Sequence, residues 1–442
     1  MSEWQEVKLR DLVHIKHGYA FKGAHISNIR NEHLLLTPGN FEIGGGFKPL
    51  NKPKYFHSEY PSDYILSSGD LIVTMTDLSK KGDTLGYAAV VPDDDTMNYL
   101  HNQRLGKIEI KKTEVLSKNF LHWLLRSPSY RNEVLASYTG SAVKHTSPTK
   151  ICAFTFALPE IQEQEEIAAV LDSLDKKIEL NLRMNEMLEG TARAIFKSWF
   201  VDFDPVHAKA EGLEPEGMDS TTAALFPSTF NPDGLPEGWT QEPVISSAEY
   251  INGAAFKNMH FSDEPDAWPV VKIAELKNGV SPQTKFTNTD LGDKYKLDTG
   301  DILFSWSGSP DTSIDTFIWT GGKGWLNQHI FKVVNETRAE RGFAYWLLKY
   351  LKPEFIEVAR NKQTTGLGHV TRKDMQWMQY CKPDQPVLDL FHETVGILLD
   401  KIENNLIQNQ TLATLRDTLL PKLISGELRV DTATEKLKEA VG

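Results

Sequence analysis

Residues 177–188 read KIELNLRMNEML, and residues 401–412 read KIENNLIQNQTL. Both stretches belong to longer runs in which apolar residues recur at heptad spacing, and their offset of 224 residues is a whole number of heptads. In both runs asparagine interrupts the apolar seam at the same two positions. Because a buried asparagine costs stability but fixes the register and the partner of a helix, the pattern predicts two long helices that pack on each other.

The residues predicted to pair are the seam positions around these asparagines. The alternative is that each helix is amphipathic and lies separately on its own domain, but this gives no reason for two helices to share the same pair of asparagines. The predicted pairing residues are Ile178, Asn181, Asn185 and Leu188 in the first helix, and Ile402, Asn405, Asn409 and Leu412 in the second.

The two helices are one part of a duplication that extends over most of the chain. Similar segments occur in the same order in both halves, which indicates a tandem repeat of a unit of about 200 residues. Trp4 and Gly18-Tyr-Ala-Phe-Lys22 match Trp239 and Gly253-Ala-Ala-Phe-Lys257. The later matches are 66–72 with 297–303, 102–107 with 327–332, 120–126 with 343–349, 139–140 with 365–366, and 177–188 with 401–412.

Each repeat divides into a globular part and a helix. In the globular part, glycine, proline and short β-type runs alternate with helical pieces, which predicts an α+β domain with a twisted, mostly antiparallel sheet. The predicted segments are a first domain at 1–157, a first long helix at 158–203, an acidic, turn-rich linker with one helical turn at 204–236, a second domain at 237–384, a second long helix at 385–426 and a tail at 427–442.

Composition is that of an ordinary globular protein, with 40% hydrophobic and 24% charged residues. The net charge of -12 is unevenly distributed, because residues 151–235 hold 6 basic and 16 acidic residues whereas residues 1–150 hold 19 and 16. The acidic total therefore does not exclude a basic face on a domain. The polar N-terminus, the two cysteines and the lack of any apolar run near the ~18 residues of a membrane span predict a cytoplasmic protein.

The sequence lacks the motifs of common catalytic sites. It has no G-x-x-x-x-G-K-[ST] phosphate loop, no Pro-Pro motif of an adenine methyltransferase and no helical histidine pair of a zinc protease. The run Asp93-Asp94-Asp95 follows Pro92, which is typical of a solvated turn rather than a metal site. We expect no catalytic residue, no metal and no cofactor on this chain.

Two helix signatures resemble a known family. The central conserved region of type I restriction-modification specificity subunits is similar to Leu158-Pro-Glu-Ile-Gln-Glu-Gln164, followed by Leu174-Asp-Lys-Lys-Ile178 and Ala194-Ile-Phe-Lys-Ser-Trp-Phe-Val-Asp-Phe203. Their distal conserved region is similar to Leu399-Asp-Lys-Ile402 and Leu419-Leu-Pro-Lys-Leu-Ile-Ser-Gly-Glu-Leu428. The distal copy departs from the pattern at Cys381-Lys-Pro-Asp-Gln-Pro386, which leaves the start of the second helix open by several residues.

The resemblance implies a non-catalytic subunit with two tandem target-recognition domains, each of which reads one half of a split site in the major groove of double-stranded DNA. It implies that the helices form an antiparallel coiled coil in a pseudo-two-fold arrangement, and that this coiled coil sets the spacer and docks two methyltransferase subunits. Restriction and translocase subunits then join through the methyltransferases. S-adenosylmethionine, ATP and Mg are expected on those partner subunits only, and no membrane partner is expected.

Two other classes of protein compete with this interpretation. One is a two-domain protein–protein adaptor without DNA binding, and the other is a catalytic methyltransferase–specificity fusion. Binding to pooled DNA duplexes separates the adaptor from the specificity subunit, and a cofactor-binding motif, which the sequence lacks, is the mark of the fusion.

Candidate DNA contacts lie in the loop that ends each globular part. Both loops follow a Thr-Gly turn and carry a histidine, basic residues and few acids, and such side chains can hydrogen-bond base edges. The alternative is an ordinary surface loop. A lysine also follows each Gly-x-Ala-Phe motif, where contact with a phosphate is predicted. The candidates are Lys22, Thr139, Ser141, Lys144, His145 and Thr146 in the first repeat, and Lys257, Thr365, His369, Thr371, Arg372 and Lys373 in the second.

Overall fold

The computed structural model describes residues 4–50, 52–79, 81–281, 283–363 and 366–441. The chain forms two compact units. The first unit contains Met1–Ile178 and Thr411–Gly442, and the second contains Glu179–Gln410. Each unit therefore combines one globular domain with a part of each long helix.

The first repeat contributes four short helices and thirteen strands among the residues that the structure describes. The helices are α1 (Leu9–Leu12), α2 (Lys118–Leu124), α3 (Pro128–Ser137) and α4 (Pro148–Ile151). The strands are β1 (Gln5–Lys8), β2 (Val13–His17), β3 (Ile26–Ser27), β4 (His33–Leu36), β5 (Tyr55–Phe56), β6 (Ile65–Leu66), β7 (Leu71–Thr74), β8 (Thr76–Asp77), β9 (Ala88–Val90), β10 (Asn98–His101), β11 (Leu105–Ile110), β12 (Lys144–His145) and β13 (Thr155–Leu158).

Two long helices of 40 residues each follow the globular domains, with shorter helices beside them. The long helices are α5 (Ile161–Phe200) and α13 (Gln385–Ile424). The segment predicted as a linker with one helical turn contains two short helices, α6 (Asp204–Ala210) and α7 (Ser220–Ala224), and the segment predicted as a tail contains α14 (Val430–Val441). The domain boundaries predicted from the sequence stay a prediction.

The second repeat continues with the remaining elements. The helices are α8 (Ile273–Asn278), α9 (Pro310–Ser313), α10 (Arg338–Tyr350), α11 (Lys352–Asn361) and α12 (Arg372–Trp377). The strands are β14 (Thr240–Pro243), β15 (Glu249–Asn252), β16 (Trp268–Val271), β17 (Phe286–Thr287), β18 (Lys296–Leu297), β19 (Ile302–Ser305), β20 (Ser307–Gly308), β21 (Asp315–Ile318), β22 (Gly324–Leu326), β23 (Ile330–Val334), β24 (Gly368–His369) and β25 (Gln379–Lys382).

The strand orders of the two repeats correspond. In the first repeat the sheets run β2-β11-β7-β9, β3-β5-β4-β10-β6, β1-β13 and β12-β8. In the second they run β15-β23-β19-β21, β17-β16-β22-β18, β14-β25 and β20-β24. Pairing is antiparallel except between β4 and β10 and between β16 and β22. The predicted α+β fold with a mostly antiparallel sheet in each repeat and two long helices is confirmed.

The apolar seam of the long helices is buried in both units. In the first unit, Ile167, Leu171 and Leu174 of α5 share a core with Leu412, Leu419 and Leu423 of α13. In the second unit, Ala192, Phe196 and Trp199 of α5 share a core with Phe391, Val395 and Ile402 of α13. All of these residues except Phe196 lie on the apolar seam predicted from the heptad spacing, and their burial is the main contribution of the helices to stability. No helix among the described residues is both long and apolar enough to cross a membrane.

The Gly-x-Ala-Phe-Lys motif of each repeat marks a close approach of two backbone segments. A Cβ atom on Gly18 would lie 2.0 Å from the carbonyl oxygen of Asn102, and one on Gly253 would lie 2.1 Å from that of Asn327. The residue after each glycine is fixed by backbone hydrogen bonds, of 2.8 Å from Tyr19 N to His101 O and of 2.9 Å from Ala254 N to Leu326 O. Only glycine fits at these two positions.

Gly18→Ala is therefore expected to lower the free energy of unfolding by about 3 kcal/mol or more, because the new methyl group overlaps a backbone carbonyl that cannot move alone. Gly23→Ala is the matched control, since a Cβ atom there meets nothing within 4 Å. Urea unfolding of the two variants tests this. Equal stability of Gly18→Ala and Gly23→Ala would contradict the close approach.

A second repeated motif forms the same ion pair twice. The carboxylate of Asp70 lies 2.5 Å from Lys107 Nζ, and that of Asp301 lies 2.8 Å from Lys332 Nζ. Each carboxylate also accepts a backbone N–H, from Ser67 or from Asp298, at 2.8 Å. In each domain, the aspartate of the Gly-Asp turn is thus bound to a lysine on an inner strand of the four-stranded sheet, Lys107 on β11 or Lys332 on β23.

Candidate nucleic-acid interface

The predicted asparagine positions meet in the second unit. Asn181 Nδ2 donates to Asn409 Oδ1 at 2.8 Å and to Gln408 Oε1 at 2.8 Å. Asn405 Nδ2 donates to Asn185 Oδ1 at 2.7 Å. As residue numbers rise along α5 they fall along α13, so the helices run antiparallel here. Of the other predicted pairing residues, Ile402 and Leu412 are buried, and Ile178 and Leu188 are partly buried against the same cores.

In the first unit the two helices are tied to the globular domain by an ionic cluster. Arg126 of the first domain and Arg416 of α13 contact the carboxylate of Asp175 on α5, at 2.9 and 2.6 Å. Burial alone would raise the pKa of Asp175, but the two guanidinium groups outweigh it and hold the pKa below its ordinary value. The cluster therefore stays charged and joins three elements of one unit.

Three segments meet at one edge of the first globular domain. Strand β8 pairs with β12, which places Thr76 opposite His145, and Thr76 Oγ1 lies 3.2 Å from His145 Nδ1. Met75, the residue before Thr76, donates its N–H to Arg104 O at 2.9 Å, and its carbonyl accepts from Thr146 N at 3.0 Å. This edge therefore carries the exposed residues Arg104 and His145 on the two segments that flank Met75.

The second globular domain repeats this edge with different side chains. Strand β20 pairs with β24, which places Ser307 opposite His369. Trp306 donates its N–H to His329 O at 3.4 Å and accepts from Val370 N at 2.8 Å. We define the reading edge of the first repeat as Thr76, Arg104 and His145, and that of the second as Ser307, His329 and His369.

The predicted DNA contacts fall into three groups by exposure. Thr365 lies outside the described residues. His369 and Thr371 are half-buried, and Lys144 and Thr146 are buried. The exposed candidates are Lys22, Thr139, Ser141, His145, Lys257, Arg372 and Lys373.

Lys144 lies in the interior, although the sequence suggested that it faces DNA. Its residue is 4% exposed, and Nζ donates to the backbone oxygen of Ser79 at 3.0 Å. In the second repeat, Thr371 caps α12 by accepting from Asp374 N at 3.3 Å, and the guanidinium of Arg372 donates to the backbone oxygen of Tyr250. These three residues bind or cap the backbone of their loops, and contact of any of the candidates with DNA stays a prediction.

Lys144→Met is expected to lower the free energy of unfolding by about 1–3 kcal/mol, because the aliphatic stem is kept while a buried carbonyl loses its charged donor. Lys373→Met is the control on the surface, where about 0.5 kcal/mol or less is expected. Chemical unfolding and DNA titration at several salt concentrations measure both variants. Unchanged stability together with a flatter salt dependence of Lys144→Met would instead indicate a phosphate contact.

Arg104 and His329 lie outside the contacts predicted from the sequence, which were in the loops after the Thr-Gly turns. The signal was present, since Asn102-Gln103 and Asn327-Gln328 match in the two repeats and each pair is followed by one of these residues. The structure shows why the pair recurs: Gln103 N donates to Tyr19 O at 2.9 Å and Gln328 N to Ala254 O at 3.0 Å. The repeated turn thus fixes the backbone, and the residue after it is free to differ.

Comparison with known proteins agrees with this architecture. The family model described as "Type I restriction modification DNA specificity domain" matches residues 1–190 and 236–379. The chain is 25% identical over 484 residues to the type I restriction enzyme HindI specificity subunit of Haemophilus influenzae, covering 97% of this chain and 100% of that one. It is 28% identical over 358 residues to the MjaIX specificity subunit of Methanocaldococcus jannaschii, covering 78% of this chain and 76% of that one.

A solved structure shares the fold. The crystal structure of the type I restriction-modification system S subunit from M. genitalium aligns with a TM-score of 0.51 at 14% identity, covering 96% of each chain. The family model matches most of the chain, and both of its segments fall on the two repeats. The chain therefore belongs to the type I restriction-modification DNA specificity family.

Proposed function

We propose that each repeat of this specificity subunit reads one half of a two-part site in double-stranded DNA. The observation that carries the proposal is the pair of reading edges. One backbone arrangement exposes Arg104 and His145 in the first repeat, with the buried Thr76 bonded to His145, and carries His329, Ser307 and His369 in the second. Two copies of a scaffold with different hydrogen-bonding groups suit two different base sequences, because each base pair presents its own pattern of donors and acceptors in the major groove.

Exposed cations near the edges supply the second part of binding. Lys22 and Lys257 are exposed at the same position of the repeated motif, and Lys373 is exposed in the first turn of α12. Contacts between lysine and phosphate fix a protein on the duplex without specifying sequence. We assign these three lysines to phosphate contacts and the solvent-accessible side chains of the reading edges to base contacts.

The long helices set the spacer and dock methyltransferase subunits in this proposal. Leu180, Leu182 and Met187 of α5 and Ile397 of α13 are exposed in the second unit, although each is a large apolar side chain. Large apolar side chains exposed on a helix can mark a surface for a protein partner. Restriction and translocase subunits join through the methyltransferases, and S-adenosylmethionine, ATP and Mg act on those partners, so this chain itself carries out no reaction.

Selection from random DNA tests the proposal. The chain co-expressed with its methyltransferase partners is expected to enrich two short motifs separated by a constant number of unspecified base pairs. The chain alone, incubated with labelled S-adenosylmethionine and the selected duplex, is expected to transfer no methyl group. Failure of the complex to enrich any motif would favour a protein–protein adaptor, and methyl transfer by the chain alone would favour a catalytic fusion.

A further inference from the structure

Two large aliphatic side chains are exposed in one groove of the first globular domain. Ile43 is 74% exposed and Leu78 is 69% exposed, and both line a groove of about 420 Å³. The exposed charged side chains in its lining are Lys48, Lys54 and Arg104, and Arg104 belongs to the reading edge of this repeat. Its lining also includes two carboxylates, of which Asp77 is buried and Asp83 is half-buried. The exposed part of the groove therefore combines two apolar side chains with three cations.

The backbone that carries Leu78 is held from beneath by buried polar groups. The carboxylate of Asp77 accepts the N–H groups of Ser79 and Thr84, both at 2.5 Å, and the hydroxyl of Thr84 at 2.7 Å. Burial alone would raise the pKa of Asp77, but these bonds outweigh it and hold the pKa below its ordinary value. Lys144 Nζ binds Ser79 O at 3.0 Å, and the guanidinium of Arg131 binds Gly82 O.

The turn that carries Ile43 is fixed in a similar way. Arg126 Nε donates to Gly44 O at 2.8 Å, and the same guanidinium contacts Asp175. Gly45 has φ +90°, and a Cβ atom there would lie 2.5 Å from Arg126 Cγ, so the turn lies directly on the arginine stem. The backbone N–H of Gly46 closes the turn by donating to Ala88 O at 2.8 Å.

In both loops, hydrogen bonds therefore fix the backbone that carries the exposed aliphatic side chain. The carbonyl groups of these loops are bound by three buried cations, Lys144, Arg131 and Arg126. Burying a charged side chain is costly unless its hydrogen bonds are made with good geometry. An exposed aliphatic side chain gains nothing from folding, and because its backbone is already fixed, little backbone entropy is lost when a ligand covers it. The cations around it favour a ligand that is negatively charged and carries apolar groups.

We propose that Ile43 and Leu78 recognise the C5-methyl groups of thymine in the half-site read by the first repeat, with Arg104 binding base edges and Lys48 and Lys54 binding phosphates. The inference rests on the proposed function, because it names the chemistry by which the first repeat reads DNA. Thymine presents its methyl group in the major groove, where apolar side chains distinguish it from cytosine. The second repeat carries Ser309 at the position that matches Leu78, so the effect belongs to one half-site.

Replacing thymine with deoxyuracil tests the inference, because it removes only the methyl group. With the complex of this chain and its methyltransferase subunits, deoxyuracil in the first half-site is expected to weaken binding about fourfold per contacted methyl group. Leu78→Ala and Ile43→Ala are expected to weaken binding to the thymine duplex by a similar factor and to abolish the difference between the two duplexes. The matched control is Ile29→Ala, since Ile29 is 72% exposed in the same repeat but does not line the groove.

The outcomes separate this inference from the proposed function. Sequence-specific binding that is insensitive to deoxyuracil at every thymine of the first half-site would overturn the inference and leave the function intact. The same holds if both alanine variants keep the full sensitivity to deoxyuracil, or if they weaken assembly with the methyltransferase subunits and not DNA binding. A wild-type complex that selects no sequence would overturn the proposed function and the inference with it. Thermal unfolding of each variant confirms that the exposed substitutions leave the fold intact.

Discussion

A complex with one heptad added to each long helix is expected to prefer a DNA site whose spacer is longer by about three base pairs. Insertions between Glu186 and Met187 and between Glu403 and Asn404 lie at the same level of the pair, next to the contact of Asn185 with Asn405. Seven residues keep the apolar seam in phase and lengthen each helix by about 10 Å at 1.5 Å per residue. That length corresponds to about three base pairs at roughly 3.4 Å each.

The half-site sequences are expected to stay the same, because the insertion alters neither globular domain. Binding to the original site is expected to fall by about 10³-fold, towards the non-specific level. The variant is expected to bind its new site more weakly than the unmodified complex binds the original site. Three extra base pairs rotate one half-site by about 100° at roughly 10.5 base pairs per turn, and twisting the DNA to compensate costs energy. Selection from a random pool measures spacer and half-sites together.

The control places the same seven residues after Gly217, in an exposed turn outside both long helices. This insertion is expected to leave the spacer unchanged. A constant spacer in the heptad variant would mean that the helices do not set the separation. An altered half-site would mean that the helices touch bases, and the assignment of reading to the globular domains would have to be withdrawn.

Replacing residues 1–157 with the matching domain of a relative is expected to change one half of the recognised site completely and to leave the other half as it was. The physical reason is that Arg104, Thr76 and His145 form their edge from residues of the first domain alone. Affinity for the original site is expected to fall by about 10³-fold or more, as when a specific complex becomes non-specific. The selected motif of the hybrid complex gives the answer directly.

The reciprocal replacement of residues 237–384 is the matched control and is expected to change the other half-site. Together the two hybrids assign each half-site to a repeat, which the deoxyuracil experiment also requires. A change in both halves after either replacement would contradict independent reading by the two domains.

Periodic features of this molecule were predictable from sequence, whereas contacts across long loops were not. The heptad seam placed Asn181 and Asn405 in the helix contact, because a helix repeats its faces at a fixed spacing. The internal duplication likewise predicted two globular domains with the same fold. Helix α13 begins at Gln385, within the range that the irregular Cys381 to Pro386 stretch had left open.

Lys144 shows why the site was harder to predict than the fold. A lysine between polar residues is usually exposed, and its burial follows from the fold of the loop around Ser79, which is distant in sequence. Arg104 was overlooked for the opposite reason, since its neighbours Asn102 and Gln103 matched the repeat while Arg104 itself did not. Under the proposed function, positions that differ between the two repeats on a shared backbone are the ones that distinguish the two half-sites.

The first unit is assembled from the two ends of the chain, and this affects how it is made. Ile167, Leu171 and Leu174 of α5 complete their core only when Leu412, Leu419 and Leu423 of α13 are present. At about 5–20 residues per second, the ribosome needs roughly 12–50 s to synthesise the residues between these two groups. During that interval the nascent α5 lacks the α13 part of its core, which leaves apolar surface open to chaperones or to aggregation. The last step in folding of the first unit therefore waits for the second half of the chain.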